Sequence, residues 1–440
     1  MGSAAAAIPT VTLPPVTARF PGPRLPEALF RFARTNNAAE FLLEMRRKYG
    51  DAFAIRGPDR LYVVLSREDH FDEILIRAKD RYTKDYSLAP LELLCNPKVL
   101  YPNATERARL QRIFRRRLTR RSLSGNDERI QRLARQACGS IPSRFLRGDG
   151  VQLMRVMLDL HFRAWISALL GTDPTRDLGE LPDELFWLAE YLPHAWFTRP
   201  FPSPWRNKSD RLIRAVRGYL HHLVRTQAPD ADAAMDCHAL RKELSDDEIV
   251  DHVAILLMTS AAVPAQLATA LHCIVRDPQR VNALCAVESP DEKQTREHQL
   301  SLLLSESFRM YPAASIILRD ATDDHVVEGC SIPKGSVVLL PTYVLNRDPG
   351  RWSEPDVFRP ERFDTDEALP DCFPFGRGPR FCMGASYSQI FMPAVLDQFT
   401  RNFSIELLER DERYSLSLPL SFRSSKVRLS PRPAMALSRE

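Results

Sequence analysis

The sequence lacks the closely spaced cysteine pairs that mark disulfide-stabilised domains. Its eight cysteines are scattered over 440 residues, and no two of them form a C-x-x-C pair. Disulfides persist in oxidising compartments, where small secreted domains carry cysteines at framework spacings. We therefore expect a reduced, cytoplasmic setting.

The sequence also lacks a large charge imbalance and an apolar segment at its start. A formal net charge of +5 is too small to predict a nucleic acid partner. The opening run from Met1 to Ile8 is too short, and lacks the basic front, for a signal peptide or a membrane anchor. Prolines between Pro9 and Pro26 predict an extended arm over residues 1–20. A hydrophobic content of 44% is ordinary for a globular protein with a large core.

One cysteine lies in a segment of unusual composition, Phe373-Pro-Phe-Gly-Arg-Gly-Pro-Arg-Phe-Cys382-Met-Gly-Ala. The residues that follow predict a helix through Val395. A thiol at a helix start is biased towards its anion by free N–H groups and the helix dipole, and Arg380 adds a positive charge. Glycines let backbone amides approach the sulfur closely. The segment therefore predicts a thiolate that binds a metal.

The pattern F-x-x-G-x-R-x-C-x-G resembles the haem-binding loop of the cytochrome P450 family. It is formed here by Phe375, Gly378, Arg380, Cys382 and Gly384. The resemblance runs from about residue 20 to the C-terminus, which implies one large domain over residues 21–440, and it is closest to soluble, bacterial-type members. It implies a mainly α fold with small β-sheets, the triangular prism in which haem b lies between a long central helix and the cysteine-ligand helix. It also implies that Cys382 is the axial ligand of the iron and that the other four residues surround the cofactor.

A second pair of motifs supports the same resemblance. Glu306-x-x-Arg309 places two opposite charges on one helix face. Pro360-Glu361-Arg362-Phe363 follows about fifty residues later and resembles the segment in which an arginine completes a buried trio with that pair. We expect Glu306, Arg309 and Arg362 to meet in a structural ion cluster.

Two further arginines are implied to contact the haem propionates. Residues 105–123 align with a family helix whose first and fifth motif positions bind a propionate, and these positions hold Arg107 and Gln111 here. Arginine suits a carboxylate, whereas Gln111 departs from the pattern. Arg319 aligns with another propionate contact.

The long central helix is predicted from a capping box and an apolar run. Ser245-Asp-Asp-Glu248 is followed by apolar residues to about Arg276, and about thirty residues of helix would span about 45 Å. Most oxygen-activating relatives carry A-G-x-[D/E]-T here, whose acid and alcohol deliver protons. At those two positions this chain has Ala262 and Val263, which cannot carry a proton.

Proline follows this segment immediately. Pro264 has no N–H for the carbonyl of Ser260, so a kink is expected. The freed carbonyl and the hydroxyls of Thr259 and Ser260 could hold water above the iron, which makes these two residues catalytic candidates beside Cys382. The alternative is that both hydroxyls bond back to their own helical turn.

The resemblance also implies which residues line the substrate pocket. They lie on the central helix and after Pro312, and comprise Ala262, Val263, Ala313, Ser315, Ile316 and Ile317.

Three functions remain open at this stage. The first is a monooxygenase that acts on a small natural-product intermediate, with electrons from a ferredoxin- or flavodoxin-type partner. The second is an atypical enzyme that uses peroxide, or catalyses oxidative coupling or rearrangement, since the acid and alcohol are absent. The third is a haem protein without catalysis. A cluster of arginines would form the docking face for an acidic electron carrier, or only a solvated surface. It comprises Arg115, Arg116, Arg117, Arg120 and Arg121. We expect a monomer that binds neither nucleic acid nor membrane.

Overall fold

The computed structural model describes residues 19–24, 27–28, 31, 38–57, 60–85, 89–100, 127–146, 148–185, 187–188, 204–228, 233–286, 293–409, 414–417, 420–423 and 425–432. Nearly all of the predicted arm lies outside these residues. So does the whole of 105–123, which contains Arg107 and the predicted arginine face.

Helices dominate the described chain. Their bounds are α1 Ala38–Tyr49, α2 Glu68–Asp72, α3 Pro97–Leu100, α4 Asp127–Gly139, α5 Leu153–Leu170, α6 Pro204–Thr226, α7 Cys237–Leu240, α8 Asp246–Ser260, α9 Ala262–Val275, α10 Pro278–Ala286, α11 Lys293–Met310, α12 Thr342–Leu345 and α13 Ala385–Asn402.

The strands are short and form small sheets. Their bounds are β1 Ala52–Arg56, β2 Leu61–Leu65, β3 Tyr82–Thr83, β4 Val151–Gln152, β5 Ile317–Ala321, β6 His325–Val327, β7 Cys330–Ile332, β8 Val337–Leu340, β9 Phe403–Leu407, β10 Tyr414–Ser417, β11 Leu420–Arg423 and β12 Lys426–Pro431.

Distant parts of the chain meet in the largest sheet. Its strand order is β1-β2-β8-β5-β3, and β2 runs parallel to β8 while the other pairs are antiparallel. A second sheet has the order β4-β12-β9, and β6-β7 and β10-β11 are hairpins. The predicted fold class, mainly α with small β-sheets, is confirmed.

The core lies where α5 crosses the central helix. Seventeen of the eighteen residues of α5 are buried, which is typical of a helix enclosed on all sides. It packs against α9 and α4, and α13 contacts α4, α9 and α11. These contacts fix the position of the central helix relative to the helix that follows Cys382.

The central helix begins as predicted but is interrupted. The Ser245 hydroxyl accepts the Glu248 N–H, and the Glu248 carboxylate accepts the Ser245 N–H at 2.8 Å, which forms the capping box. The helix then divides at Ala261 into α8 and α9. Because Pro264 cannot donate to the carbonyl of Ser260, the break falls one turn before the proline. The interruption lies where the sequence predicts a kink.

The same helix is the one candidate membrane span among the described residues. Asp246–Val275 is long and apolar enough to cross a bilayer, but 72% of its most apolar window is buried inside the protein. Its hydropathy is accounted for by packing in the core.

A buried ion cluster ties α11 to the irregular segment before the cysteine loop. Arg309 donates to both carboxylate oxygens of Glu306, at 2.7 and 2.9 Å, and neither side chain is exposed. Arg362 donates to Glu306 at 3.1 Å, and the Arg359 N–H adds a bond of 2.8 Å. Glu306, Arg309 and Arg362 therefore meet in one ion cluster, as the sequence analysis predicts.

The cluster is linked to the cysteine loop by two further bonds. Arg309 donates to the carbonyl of Asn346 at 2.8 Å, and the Asn346 amide donates to the carbonyl of Cys372 at 3.0 Å. On the same helix, Phe308 packs edge-on against Phe375, with ring centroids 5.4 Å apart. Loss of the cluster would therefore disturb the loop as well as the core.

We predict that Glu306→Ala yields little soluble, haem-loaded protein. Removing the carboxylate leaves Arg309 charged and buried, which costs about 3–5 kcal/mol against a typical total stability of about 5–15 kcal/mol. Soluble yield and haem content measure the effect. Glu361→Ala is the matched control, since Glu361 pairs with Arg280 at the surface, where such pairs are worth about 0–1 kcal/mol. Equal yields from the two variants would contradict the buried-charge argument.

Candidate functional site

The loop that carries Cys382 is shaped by two glycines in the left-handed region. Gly376 has φ +70° and Gly378 has φ +76°. A Cβ at Gly378 would lie 2.4 Å from the carbonyl oxygen of Leu75, so no larger residue fits there without a shift. Leu75 belongs to a π-helical turn, Glu73–Arg77, that continues α2.

The backbone then turns the thiol towards the start of a helix. A 3₁₀ turn, Gly378–Arg380, precedes the cysteine, and the Cys382 N–H donates to the carbonyl of Phe375 at 3.0 Å. Helix α13 begins at Ala385, so its first free N–H groups face the sulfur. The helix expected after Cys382 is therefore present.

The electrostatics of the thiol differ from the sequence-based expectation. Cys382 is exposed by surface area, yet it lies in a recess where surrounding protein removes bulk water, and this desolvation raises its pKa. Hydrogen bonds from the N–H groups of Gly384 and Ala385 act in the opposite direction and do not offset it. The expected low pKa is therefore wrong for the metal-free thiol, because helix-start arguments leave out desolvation. A bound metal cation would deprotonate the sulfur outright.

The nearby cation that acts on the thiol is also not the expected one. Lys84 lowers the pKa of Cys382, whereas Arg380 acts on Lys84 and Arg319. Burial is the largest cause and the charges of Arg319 and Arg380 add to it, so that the pKa of Lys84 is lowered to about 8. Burial and Arg380 together lower the pKa of Arg319 to about 10. Three cationic side chains thus crowd one recess beside the cysteine.

Sequence reasoning missed Lys84 because strand pairing brings it into the site. Strand β3 pairs antiparallel with β5, with Thr83 opposite Asp320. Continuing this register by one residue places Lys84 beside Arg319. The only signal in the sequence would have been the pairing of two segments more than two hundred residues apart.

The hydroxyls of Thr259 and Ser260 on the central helix bond back to their own helical turn, which is the alternative given above. Thr259 donates to the carbonyl of Ile255 at 2.8 Å, and Ser260 donates to that of Leu257 at 2.8 Å. Both hydrogens are therefore committed to the helix itself, although each oxygen still has lone pairs that can accept.

The predicted pocket residues contact different parts of the structure. The Ile317 side chain reaches the cysteine loop, 3.9 Å from the Cβ position of Gly376. Ile316 packs against the cluster formed by α1, β1 and β2. Ser315 is buried, and Ala262 and Val263 pack with the main core. The assignment of these residues to a substrate pocket stays a prediction.

The segment that leads to Ile317 is held by Gln266 on the central helix. The Ala313 N–H donates to the Gln266 amide oxygen at 3.0 Å, and the amide donates to the Ser307 hydroxyl at 2.7 Å. Thr342 donates to the carbonyl of Ala314 at 2.8 Å. The buried amide of Gln266 thus fixes the position of the segment after Pro312 relative to α9 and α11.

Comparison with known proteins agrees with this arrangement. The family model described as Cytochrome P450 matches residues 21–430. Cytochrome P450 3A6 of Oryctolagus cuniculus is 31% identical over 185 residues, which are 39% of this chain and 37% of that protein. Cytochrome P450 3A13 of Mus musculus is 32% identical over 185 residues, with the same shares. Cytochrome P450 3A5 of Homo sapiens is 39% identical over 110 residues, which are 24% of this chain and 22% of that protein.

These matches span less than two fifths of each curated relative. All three relatives are mammalian, so the expected bacterial type gains no support from them and stays a prediction. The cofactor of the matched family is haem b, and the site fits it in two respects. A thiol stands at a helix start, and three cations beside it suit a group with two carboxylates. Arg107, the other expected propionate contact, lies outside the described residues.

We predict that Cys382→Ala abolishes the red-shifted Soret band of the reduced carbon monoxide adduct, because that band reports thiolate ligation. The measurement is a reduced-minus-oxidised spectrum under carbon monoxide. Cys372→Ala is the matched control, since Cys372 lies in the same stretch but its thiol is buried, with a pKa raised to about 12. A thiolate band that survives in Cys382→Ala would overturn the assignment.

We also predict that Lys84→Met weakens haem retention by about tenfold, the effect of losing one charge-assisted hydrogen bond of ordinary strength. Transfer of haem to a scavenging apoprotein gives the rate. Lys79→Met is the control, since Lys79 is exposed on the neighbouring 3₁₀ turn. Equal transfer rates in the two variants would remove Lys84 from the haem site.

The same lysine predicts a pH dependence of the haem-free protein. The pKa of Lys84 falls from its ordinary 10.5 to about 8, so between these values the unfolded chain binds a proton that the native state has lost. The free energy of unfolding should therefore rise with pH across this window. In denaturant titrations of Lys84→Met, the free energy of unfolding should not rise across this pH window. If it rises as in the wild type, Lys84 is not the group responsible.

Proposed function

Because the chain belongs to the cytochrome P450 family, we propose that it is a haem-thiolate monooxygenase that oxidises a small organic molecule. The observation that carries the proposal is the position of Cys382, which stands at the start of α13 beside Lys84, Arg319 and Arg380. Few other uses account for a lone cysteine held in this way next to three cations.

When bound, haem supplies the electron-transfer and oxygen-activation chemistry of the reaction. The residues of the chain would hold and orient it. Cys382 is the candidate iron ligand, and the N–H groups of Gly384 and Ala385 stabilise its negative charge. Lys84, Arg319 and Arg380 would bind the two propionates and so help to hold the cofactor.

The substrate would lie between the central helix and the segment after Pro312. Ile317 reaches the cysteine loop and Val263 is buried on the central helix, and both are apolar, so they favour an apolar substrate surface. Gln266 keeps the two sides at a fixed separation. A natural-product intermediate is the substrate class we propose, on the basis of the sequence resemblance.

The electron donor in this proposal is a ferredoxin- or flavodoxin-type protein, and the enzyme acts as a cytoplasmic monomer. The support is the run of arginines between 115 and 121, which suits an acidic carrier. These arginines lie outside the described residues.

A second candidate function is favoured by one observation. The central helix carries Ala262 and Val263 where an acid and an alcohol are usual, and the hydroxyls of Thr259 and Ser260 donate to their own turn. An enzyme driven by peroxide, or one that couples or rearranges its substrate, would not require the acid–alcohol pair. The coupling of carrier electrons to product separates the two functions.

For the monooxygenase, we predict that Val263→Thr changes productive turnover only modestly, because protons already arrive by another route. The measurement is product formed per electron pair consumed with a ferredoxin carrier. Val253→Thr, a buried valine on α8, controls for the stability cost of a hydroxyl in the core.

A different result would favour the second function. Wild-type protein that consumes carrier electrons mainly to release peroxide, and turns over fully with added peroxide, would contradict the dioxygen route. Tight coupling in the wild type would exclude the peroxide and oxidant-free alternatives.

A further inference from the structure

A buried histidine contacts the central helix at its break. His161 lies on α5, is completely buried, and places its Nε2 3.0 Å from the hydroxyl oxygen of Ser260. Ser260 is the last residue of α8, directly before the interruption at Ala261. The histidine therefore contacts the helix at the point where its regular hydrogen bonding fails.

The hydrogen-bond directions at this contact are fixed by the donors present. The Ser260 hydroxyl donates to the carbonyl of Leu257, so its single hydrogen is already used. His161 must then donate its Nε2–H to the serine oxygen. That oxygen retains one lone pair, and the carbonyl of Ser260 lacks the N–H that Pro264 would have supplied.

The surroundings of His161 keep it neutral. Its ring lies between Phe162, Trp165, Tyr387 and Phe391, with centroid separations of 5.5 to 6.2 Å. Burial among these rings lowers the pKa of His161 to about 3. A neutral ring has one N–H, and the Nδ1 atom on the other side has no hydrogen-bond partner within the described residues.

The contact belongs to a two-point attachment between α5 and α8. Trp165 lies one turn after His161 and donates its indole N–H to the carbonyl of Leu256 at 3.4 Å. Leu256 lies one turn before Ser260. Two residues spaced by one turn on α5 therefore hold two positions spaced by one turn on α8, which fixes the rotation of the helix end.

We propose that His161 is a positioning residue for the oxygenation reaction, which orients Ser260 so that the free lone pair of its hydroxyl oxygen accepts a hydrogen bond from a water molecule at the helix break. This inference rests on the proposed monooxygenase function. A water that donates one hydrogen to Ser260 keeps its other hydrogen available for the reacting site. Ser260 would thereby replace the acid and alcohol that Ala262 and Val263 cannot supply.

The test compares four variants of the haem-loaded protein. His161→Phe keeps the ring volume without a donor, His161→Gln keeps a donor, Ser260→Ala removes the hydroxyl, and the double variant His161→Phe/Ser260→Ala removes both. The readouts are product per electron pair and the C–O stretching frequency of the reduced carbonyl adduct, which senses polar groups that face the ligand.

We expect His161→Phe and Ser260→Ala each to lower the coupling by about tenfold, the effect of one hydrogen bond of ordinary strength. The double variant should be no worse than either single one, because both remove the same interaction. His161→Gln should recover most of the coupling. The C–O stretch should shift in the same direction in His161→Phe and Ser260→Ala.

His272→Phe is the matched control. His272 is also buried on the central helix and pairs with the hydroxyl of a serine, Ser425, but it lies three turns beyond the break. It should lower thermal stability without changing the coupling or the C–O stretch. If His161→Phe and Ser260→Ala behave like His272→Phe, the contact only packs the helices and the proposal is wrong.

Failure of the proposed function gives a different pattern. No oxygenated product from the wild type with any carrier would contradict the monooxygenase assignment. The C–O stretch would still decide the present inference, since an unshifted stretch in both variants overturns it and a common shift supports it.

Discussion

One buried carboxylate, that of Glu306, organises the parts of the protein that hold the cysteine loop. It accepts hydrogen bonds from Arg309, from Arg362 and from the backbone N–H of Arg359. Arg309 also donates a hydrogen bond to the carbonyl of Asn346, and the Asn346 side chain donates one to the carbonyl of Cys372. An ion cluster of this kind is costly to break at any member, so the loop geometry depends on all of its bonds being made together.

Much of this could be predicted from local sequence patterns. The glycine-framed cysteine, the Glu306–Arg309 pair and the capping box at Ser245 depend on spacings of ten residues or fewer, and the structure has each of these local arrangements. Lys84 and His161 could not be predicted, because a strand register and a helix crossing bring them to the site. Their neighbours in sequence carry no sign of these contacts.

One expectation failed for an identifiable physical reason. The bias of the Cys382 thiol towards its anion was expected from the helix start alone, whereas desolvation in the recess is the larger effect on its pKa. The error comes from reasoning about one segment without the segments that pack against it.

The central claim is that the Cys382 thiolate binds the iron of a haem. X-ray absorption at the iron edge of the purified ferric protein tests it most directly, because sulfur scatters differently from nitrogen and oxygen. We predict one sulfur in the first coordination shell, absent from any haem-containing Cys382→Ala protein. A shell of nitrogen and oxygen ligands alone in the wild type would contradict the account.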